Sequence, residues 1–280
     1  MRAALASEVY RTWHRGATWW CVAAMCAAVF LSYLGLWALE VGREAALRLD
    51  RASPDLGRLE LGPLMRLDHV PDVAYGVTAA AGTMIVMAFA ASAIGTELSW
   101  GTVRTIVPRI GSRDKFVLAK VLVASLIAVV SAIVAALAAF DASLALTVLR
   151  SLDPDVHPEV LARAFVGPPA ILLATAPYIA LAVAATIWTR STAVGLAIGG
   201  AVFLLEGVAT ALVGAVARVP WLPAVGPARN VQAVMQLVAS TQSPAVPELW
   251  VAVVILLLYT LVFASAAVYG FASRDIGPRS

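Results

Sequence analysis

The sequence has 280 residues, of which 61% are hydrophobic and only 13% are charged. A typical soluble domain has about 25% charged residues, and a soluble protein of this composition could not cover its apolar surface with polar groups. The composition therefore predicts a polytopic integral membrane protein and excludes a disordered chain and a secreted disulfide scaffold. The two cysteines, Cys21 and Cys26, are expected to be unpaired packing residues of one helix.

Six apolar segments are long enough to cross a bilayer, because its hydrocarbon core needs about 20 helical residues. The first segment follows three arginines but is too long for the core of a signal peptide, so we expect it to be a retained span. The predicted fold class is all-α, a single six-span transmembrane domain over residues 1–280. The predicted spans cover residues 17–39, 73–94, 116–140, 164–188, 193–217 and 249–271.

The distribution of charge predicts which ends of the spans face the cytoplasm. With the N-terminus inside, the inner segments hold 11 basic and 4 acidic residues, and the remainder holds 9 basic and 13 acidic residues. The positive-inside rule therefore predicts that both termini lie in the cytoplasm. The expected location is a bacterial-type plasma (inner) membrane, which the chain crosses several times. Because the basic residues follow the spans in this way, we expect the lipid membrane and not nucleic acid as a partner.

Two segments between spans are predicted to lie on the outer side. Residues 40–72 are too few for an independent domain and are predicted to form a partly helical cap, with breaks at Pro54 and Pro63. The proline-rich segment 218–248 contains helical apolar spacing at 230–238. This spacing predicts a short helix that is re-entrant or lies on the outer surface, and the alternative is an ordinary extracellular loop.

The segment 95–115, between the second and third spans, is predicted to be a cytoplasmic coupling loop. Residues Glu97–Val107 have the spacing of a short amphipathic helix, which Pro108 is expected to end. Ser112 is a plausible N-cap of the third span, and Asp114 suits the first turn of that helix. Such a helix would lie parallel to the membrane and face a cytoplasmic partner. The alternative is a solvated basic loop that only sets the topology.

This segment resembles the ABC-2 type permease family. The family pattern is a glutamate, a Gly-Thr pair with a following arginine, a proline, an arginine, and a lysine at the start of the third span. The N-terminal stretch 5–13, within the segment 1–16, is similar to the interfacial helix of the family. The matching positions are Glu97, Gly101, Thr102, Arg104, Pro108, Arg113 and Lys120.

The resemblance implies the permease subunit of an ATP-driven ABC transporter. Such permeases work as dimers, with a second copy or a homologous permease, and bind a dimer of cytoplasmic ATPase subunits. The family mostly exports, which favours efflux of amphipathic small molecules, peptides or lipids. Trp100 departs from the pattern because it is bulky. The positions implied to couple to the ATPase are Glu97, Leu98, Gly101, Thr102 and Arg104.

The sequence has no P-loop with which to bind ATP. That motif needs a lysine between a glycine and a serine or threonine, and neither Lys115 nor Lys120 has these neighbours. The chain is therefore expected to be a transporter subunit and not an enzyme, and to hold no cofactor of its own. ATP and Mg²⁺ would bind to the partner subunit.

A carboxylate in the middle of the fifth span is the other candidate for function. Glu206 could line a translocation path, bind a cationic group or sit protonated between helices. The alternative is a structural hydrogen bond to a neighbouring helix or to the other subunit of a dimer. The alternative function is an ATP-independent secondary transporter or channel that uses Glu206, and a third class is a membrane scaffold or an intramembrane enzyme. No metal site is expected, although Asp68, His69 and Asp72 are close in sequence. Gly195 and Gly199 favour close helix packing.

Overall fold

The computed structural model of the chain describes residues 2–48, 62–110, 112–150, 157–216, 218, 221–240 and 247–273. These residues are almost wholly helical, and none of them forms a β-strand. Two short 3₁₀ turns, Gly62–Met65 and Leu67–His69, precede α3, which continues through a π-helical turn, Thr78–Gly82, into α4. The α-helices are α1 (Arg2–Trp13), α2 (Gly16–Arg48), α3 (Val70–Val77), α4 (Thr83–Ser99), α5 (Val103–Ile110), α6 (Arg113–Leu149), α7 (Pro158–Thr189), α8 (Thr192–Val216), α9 (Leu222–Val225), α10 (Pro227–Met235) and α11 (Leu249–Ala272).

Six helices are long and apolar enough to cross a membrane: α2, the continuous α3–α4, α6, α7, α8 and α11. The prediction of an all-α protein with six spans is confirmed, and the chain is consistent with a multi-pass membrane protein. Several spans extend beyond the predicted bounds, as where α2 continues to Arg48 and α6 to Leu149. The extension of α2 carries several charged residues, and the extension of α6 begins at Asp141, so a search for uncharged apolar segments stops before both.

The fourth span, α7, forms the centre of the bundle. It is the most buried of the six spans and packs against α4, α6, α8 and α11. On the other side of the core, α2 packs along α6 through Met25 and Val29, which are fully buried. The fifth span, α8, is the least buried, so most of its apolar surface faces away from the bundle.

Small residues let α8 approach α7 closely, as the sequence predicts. A Cβ atom added to Gly195 would lie 2.8 Å from both the backbone nitrogen and the Cα of Thr186. One turn later, a Cβ atom added to Gly199 would lie 3.3 Å from the Ala182 Cβ atom, which is closer than most such contacts. The two cysteines of α2 are free thiols, also as predicted.

The first connecting segment is shorter than predicted, because helix occupies both of its ends. Of the predicted loop 40–72, residues 40–48 belong to α2, and the two 3₁₀ turns and the start of α3 occupy residues 62–72. Pro63 lies in the first turn of its helix, where a missing N–H costs no hydrogen bond. The predicted break at Pro63 is therefore a helix start, and Pro54 lies outside the described residues.

The helix predicted at 230–238 exists, but it begins three residues earlier, at Pro227. Proline suits this first position because its ring fixes a helical backbone angle. Helix α10 packs against three spans, α7, α8 and α11, and buries Ala233 and Val234 against Leu256 of α11. Helix α10 therefore packs among the helices of the bundle, and its re-entrant or surface position in the membrane stays a prediction.

Candidate functional site

The chain turns sharply between the second span and the short helix that follows it. α4 ends at Ser99, and Gly101 has a φ of +69°, a left-handed conformation that favours glycine. The predicted helix Glu97–Val107 is therefore wrong at both ends, because Glu97 belongs to the last turn of α4 and α5 starts at Val103. Pro108 does not end α5, which continues to Ile110 and loses only one hydrogen bond at the proline.

Helix α5 is amphipathic and packs on the start of α6. Val103 is buried in the core, and Ile106 and Val107 pack against it. The opposite side of the turn and of α5 is exposed, and Trp100 is 78% exposed at its tip. We call this exposed set the elbow surface: Trp100, Gly101, Arg104, Thr105 and Pro108.

A buried ion network lies directly behind the elbow surface. The Lys120 ammonium lies 2.6 Å from Glu8 Oε1 and 2.6 Å from Glu97 Oε1. Arg15 donates to Glu97 Oε1 at 2.6 Å, and Arg11 pairs with both glutamates. The side chains of Lys120, Glu8 and Glu97 are each only 3% exposed. Three cations and two anions thus join α1, the end of α4 and the start of α6.

Aromatic contacts connect the network to the last span. The Lys120 ammonium lies 5.5 Å from the centre of the Phe116 ring, one turn earlier on α6. Phe116 stacks on Phe271 near the end of α11, with ring centres 5.3 Å apart. Arg113 also donates to the Ala272 carbonyl oxygen at 2.9 Å. The elbow, the N-terminal helix and the end of α11 therefore lie at one end of the bundle and are held together.

The electrostatics of the network favour the ionised form of Glu8. Burial alone would raise the pKa of Glu8, but the charges and hydrogen bonds of Lys120 and Arg11 outweigh it and hold the pKa below its ordinary value of 4.5. A carboxyl group with a lowered pKa in the folded state contributes stability above its ordinary pKa and loses it as the pH falls further.

We therefore expect the stability of the protein to depend on Glu8 only above acidic pH. Above pH 4.5 the wild type should unfold at a higher temperature than Glu8→Gln, and the difference should shrink as the pH falls below that value. Thermal unfolding of both proteins in detergent, measured across this range, checks the sign. A difference that stays constant or grows in acid would contradict the assignment of an ionised Glu8 to the network.

The sequence-predicted coupling residues fall into two groups. Glu97 is buried in the ion network, and Leu98 packs against the core. Gly101 and Arg104 are exposed on the elbow surface. Thr102 lies between the groups and donates to the Glu97 carbonyl oxygen at 3.4 Å. The structure thus brings the five residues into one region, but only part of the set faces outwards.

The sequence analysis did not identify the ion network. Arg11 and Arg15 come from the N-terminal region, and their partner Glu97 is at least 82 positions away from each of them. Glu8 lies 112 positions from its partner Lys120. One signal was available: Lys120 lies inside an apolar span, and a lysine there needs an anionic partner. The signal does not say which of the acidic residues supplies the carboxylate.

Glu206 lies apart from the elbow, on α8. Its Oε2 atom accepts a hydrogen bond of 2.8 Å from the backbone N–H of Ala228, at the start of α10. Its Oε1 atom is buried and has no hydrogen-bond partner among the described residues. The hydrogen bond to α10 is of the structural kind that the sequence analysis allowed, and the role of Glu206 in a translocation path stays a prediction.

A second polar cluster joins the starts of the second and fourth spans. Arg163 lies 2.9 Å from Asp72 and donates to the Asp68 carbonyl oxygen at 2.7 Å. The backbone N–H of Ser240 donates to Asp72 Oδ1 at 2.6 Å. The side-chain hydroxyl of Ser240 lies 3.2 Å from His69 Nδ1. Within the described ranges, no group of three or more His, Cys, Asp or Glu side chains could hold a metal ion.

Comparison with known proteins does not assign a family to the chain. No model of a protein family matches the sequence, and no curated protein matches it either. The resemblance to the ABC-2 type permeases therefore stays a prediction that rests on the residues of the elbow and on the six spans.

Proposed function

We propose that this chain is the permease subunit of an ATP-driven ABC transporter of the ABC-2 type. The observation that carries the proposal is the combination of an exposed elbow surface with the buried ion network behind it. A loop that only set the topology would not need a network of buried charges behind it. A surface on which another protein pushes needs such an anchor to transmit the force.

The ion network would transmit a push from the elbow to three helices at once. Glu97, in the last turn of α4, is tied to Lys120 on α6 and to Arg15 at the start of α2. Displacing the elbow without moving these helices would separate buried charges, which costs several kcal/mol. The elbow, α1, α4 and α6 are therefore expected to move together during alternating access.

The partners follow from this role. The chain lacks a P-loop lysine, so ATP and Mg²⁺ would be bound by a separate ATPase dimer on the cytoplasmic side. A second permease copy or a homologous permease would complete the path, and α8 offers it an apolar face that the bundle leaves exposed. We propose export of amphipathic small molecules, peptides or lipids across a bacterial-type plasma membrane, with α1 as an interfacial helix and both termini in the cytoplasm.

The elbow surface also has the chemistry of a protein-binding site. Trp100 projects from its tip, and tryptophan and arginine are enriched among the residues that dominate interface energies. Arg104 adds a positive charge beside it. The ATPase surface that fits this elbow would therefore have an apolar pocket for Trp100 and acidic residues at its rim.

Co-purification of an ATPase with the tagged chain in mild detergent tests the proposal. We expect wild-type protein to carry ATP hydrolysis activity, and Trp100→Ala and Arg104→Glu to lower it about ten-fold or more. The matched control is Trp20→Ala, because Trp20 on α2 is also 78% exposed. Mass spectrometry would identify the partner subunit.

The outcomes separate docking from a general role of exposed aromatic residues. Loss of the ATPase in Trp100→Ala but not in Trp20→Ala supports the elbow as the docking site. Equal loss in both variants would assign both side chains to the membrane interface. A pure chain without any ATPase, under conditions that preserve complexes, would overturn the proposal.

An ATP-independent secondary transporter or channel is the second candidate function. The observation that favours it is the unpaired carboxylate oxygen of Glu206 within the fifth span. In proteoliposomes without ATP, such a transporter would accumulate substrate when a proton gradient is imposed, and Glu206→Gln would abolish the accumulation. An ATP-driven permease would show no gradient-driven uptake in the same vesicles.

A further inference from the structure

Helix α10 brings its N-terminus to a carboxylate within the membrane span α8. Glu206 is residue 15 of the 25 residues that begin at Thr192, and its Oε2 atom accepts the Ala228 N–H. Gly226, just before α10, permits the approach, because a Cβ atom on that glycine would overlap Glu206 Oε1. The carboxylate thus contacts the start of α10 through both oxygens, but only one of them receives a hydrogen bond.

Asn230 contacts the backbone carbonyl oxygen of the same glycine. Its side-chain nitrogen donates to the carbonyl oxygens of Gly226, at 2.7 Å, and Ala224, at 2.9 Å. The residue is fully buried, and its Oδ1 atom has no donor among the described residues. Glu206 Oε1 is likewise a buried acceptor with no donor among the described residues. Two buried acceptor oxygens without donors among the described residues therefore belong to two side chains that both contact Gly226.

Two such acceptors at one place favour a ligand that brings N–H donors. An unsatisfied buried acceptor destabilises the fold, and an unpaired carboxylate in a membrane span does so more strongly. The N–H of Ala228 and the positive end of α10 stabilise the charge of Glu206 only in part. A cation with several N–H groups would pair with Glu206 and also donate to Asn230.

The surroundings of the two acceptors are apolar and aromatic. α10 packs against α7, α8 and α11. Tyr178 of α7 packs edge-to-face on Phe203 of α8, three residues before Glu206, with ring centres 5.0 Å apart. Next to Glu206, α8 exposes Leu204 and Leu205, each more than 60% exposed. An alkyl chain attached to the cation could lie along this face.

We infer that Glu206 and Asn230 form a recognition site for the primary ammonium group of an amphipathic amine, with its alkyl chain along the outer face of α8. The inference rests on the proposed transport function, since it names the class of substrate. A quaternary ammonium group would bind less well because it has no N–H donor. An anionic head group would be repelled by the carboxylate.

Photolabelling of the purified chain in lipid nanodiscs, without any ATPase, tests the site. The probe is a long-chain primary amine with a diazirine in its alkyl chain, and the matched probes are the alcohol and the trimethylammonium compound of the same length. We expect the amine to label peptides from α8 and α10, and dodecylammonium to compete with it. In Glu206→Gln the labelling should fall about ten-fold or more, because a buried charge pair is lost.

Two further variants distinguish a loss of the binding site from a loss of the folded structure. Glu159→Gln neutralises an exposed carboxylate at the start of α7 and should label as the wild type does. Glu206→Asp retains the charge and should keep more labelling than Glu206→Gln. Thermal unfolding of each variant in the same nanodiscs shows whether it is folded.

Each outcome decides one question. Amine-specific labelling that depends on the charge at residue 206 supports the site, whether or not an ATPase co-purifies. Equal labelling by the amine and the alcohol would overturn it, as would unchanged labelling of folded Glu206→Gln. The second result would mean that Glu206 is protonated and structural. Because the labelling is done without any ATPase, neither of these two results bears on the proposed permease function. Co-purification of an ATPase tests that function separately.

Discussion

Lys120→Met is expected to lower the free energy of unfolding by about 3 kcal/mol or more. The substitution keeps the length and apolar character of the side chain but removes the ammonium group that lies 2.6 Å from both Glu8 and Glu97. The two glutamates would remain buried with only the arginines to neutralise them. Reversible unfolding of the protein in mixed micelles with increasing denaturing detergent measures the loss.

Lys115→Met is the matched control, because Lys115 is exposed on the same helix, and its loss should change stability by less than about 0.5 kcal/mol. Adding Glu8→Gln to Lys120→Met should cost less than the sum of the two single losses, since both remove the same contact. Equal effects of the two lysine substitutions, or strict additivity with Glu8→Gln, would contradict a buried network.

Gly195→Ala is expected to destabilise the contact between the fourth and fifth spans by about 1–3 kcal/mol. The added Cβ atom would lie 2.8 Å from the backbone nitrogen and Cα of Thr186, and backbone atoms of a helix cannot move aside as the end of a side chain can. Helix α8 would therefore shift away from α7. The same unfolding assay measures the loss.

Gly207→Ala on the same helix provides the control for Gly195→Ala. A Cβ atom there would meet only the Ala228 side chain at 3.5 Å, an ordinary contact. Because alanine is the better helix former, this substitution should be neutral or slightly stabilising. A destabilisation by Gly207→Ala as large as that by Gly195→Ala would show that the packing of α8 on α7 is not specific.

The six spans could be predicted because each is a long apolar segment and the bilayer sets a minimum length. The N-cap of the third span was also predicted from the sequence, because Ser112 stands directly before that helix. In the structure, the Ser112 side chain accepts a hydrogen bond from the backbone N–H of Lys115. The ends of the spans could not be predicted as well as their existence. Polar turns such as Glu40–Arg48 continue a helix without adding to its hydropathy, so nothing marks them as part of the span.

The elbow shows why a charged residue is a poor guide to a helix boundary. Glu97 suggested the start of a cytoplasmic loop, yet it lies in the last turn of α4 because Lys120 and Arg15 neutralise it. These partners lie 23 and 82 positions away in the sequence. A pattern within one segment cannot reveal such pairs, whereas the turn at Gly101 has a local cause in its left-handed backbone.

The site around Glu206 combines a local and a distant feature. The isolated glutamate in an apolar span indicated a candidate functional residue from the sequence alone. Its contact with Ala228 depends on how α10 folds back among the spans, and the prolines of that segment allow several paths. The contact of Asn230 with the Gly226 carbonyl oxygen follows from the same fold and had no signal in the sequence.

The most direct test of the permease function is a site-specific photocrosslink from the elbow surface. A photoreactive amino acid would replace Thr105, which is exposed on α5, and Glu159 at the opposite end of the bundle would be the control position. In intact cells, we expect position 105 to crosslink to a soluble nucleotide-binding ATPase and position 159 to give no such product. Crosslinks from position 105 only to lipid, with the protein folded and in the membrane, would contradict the account.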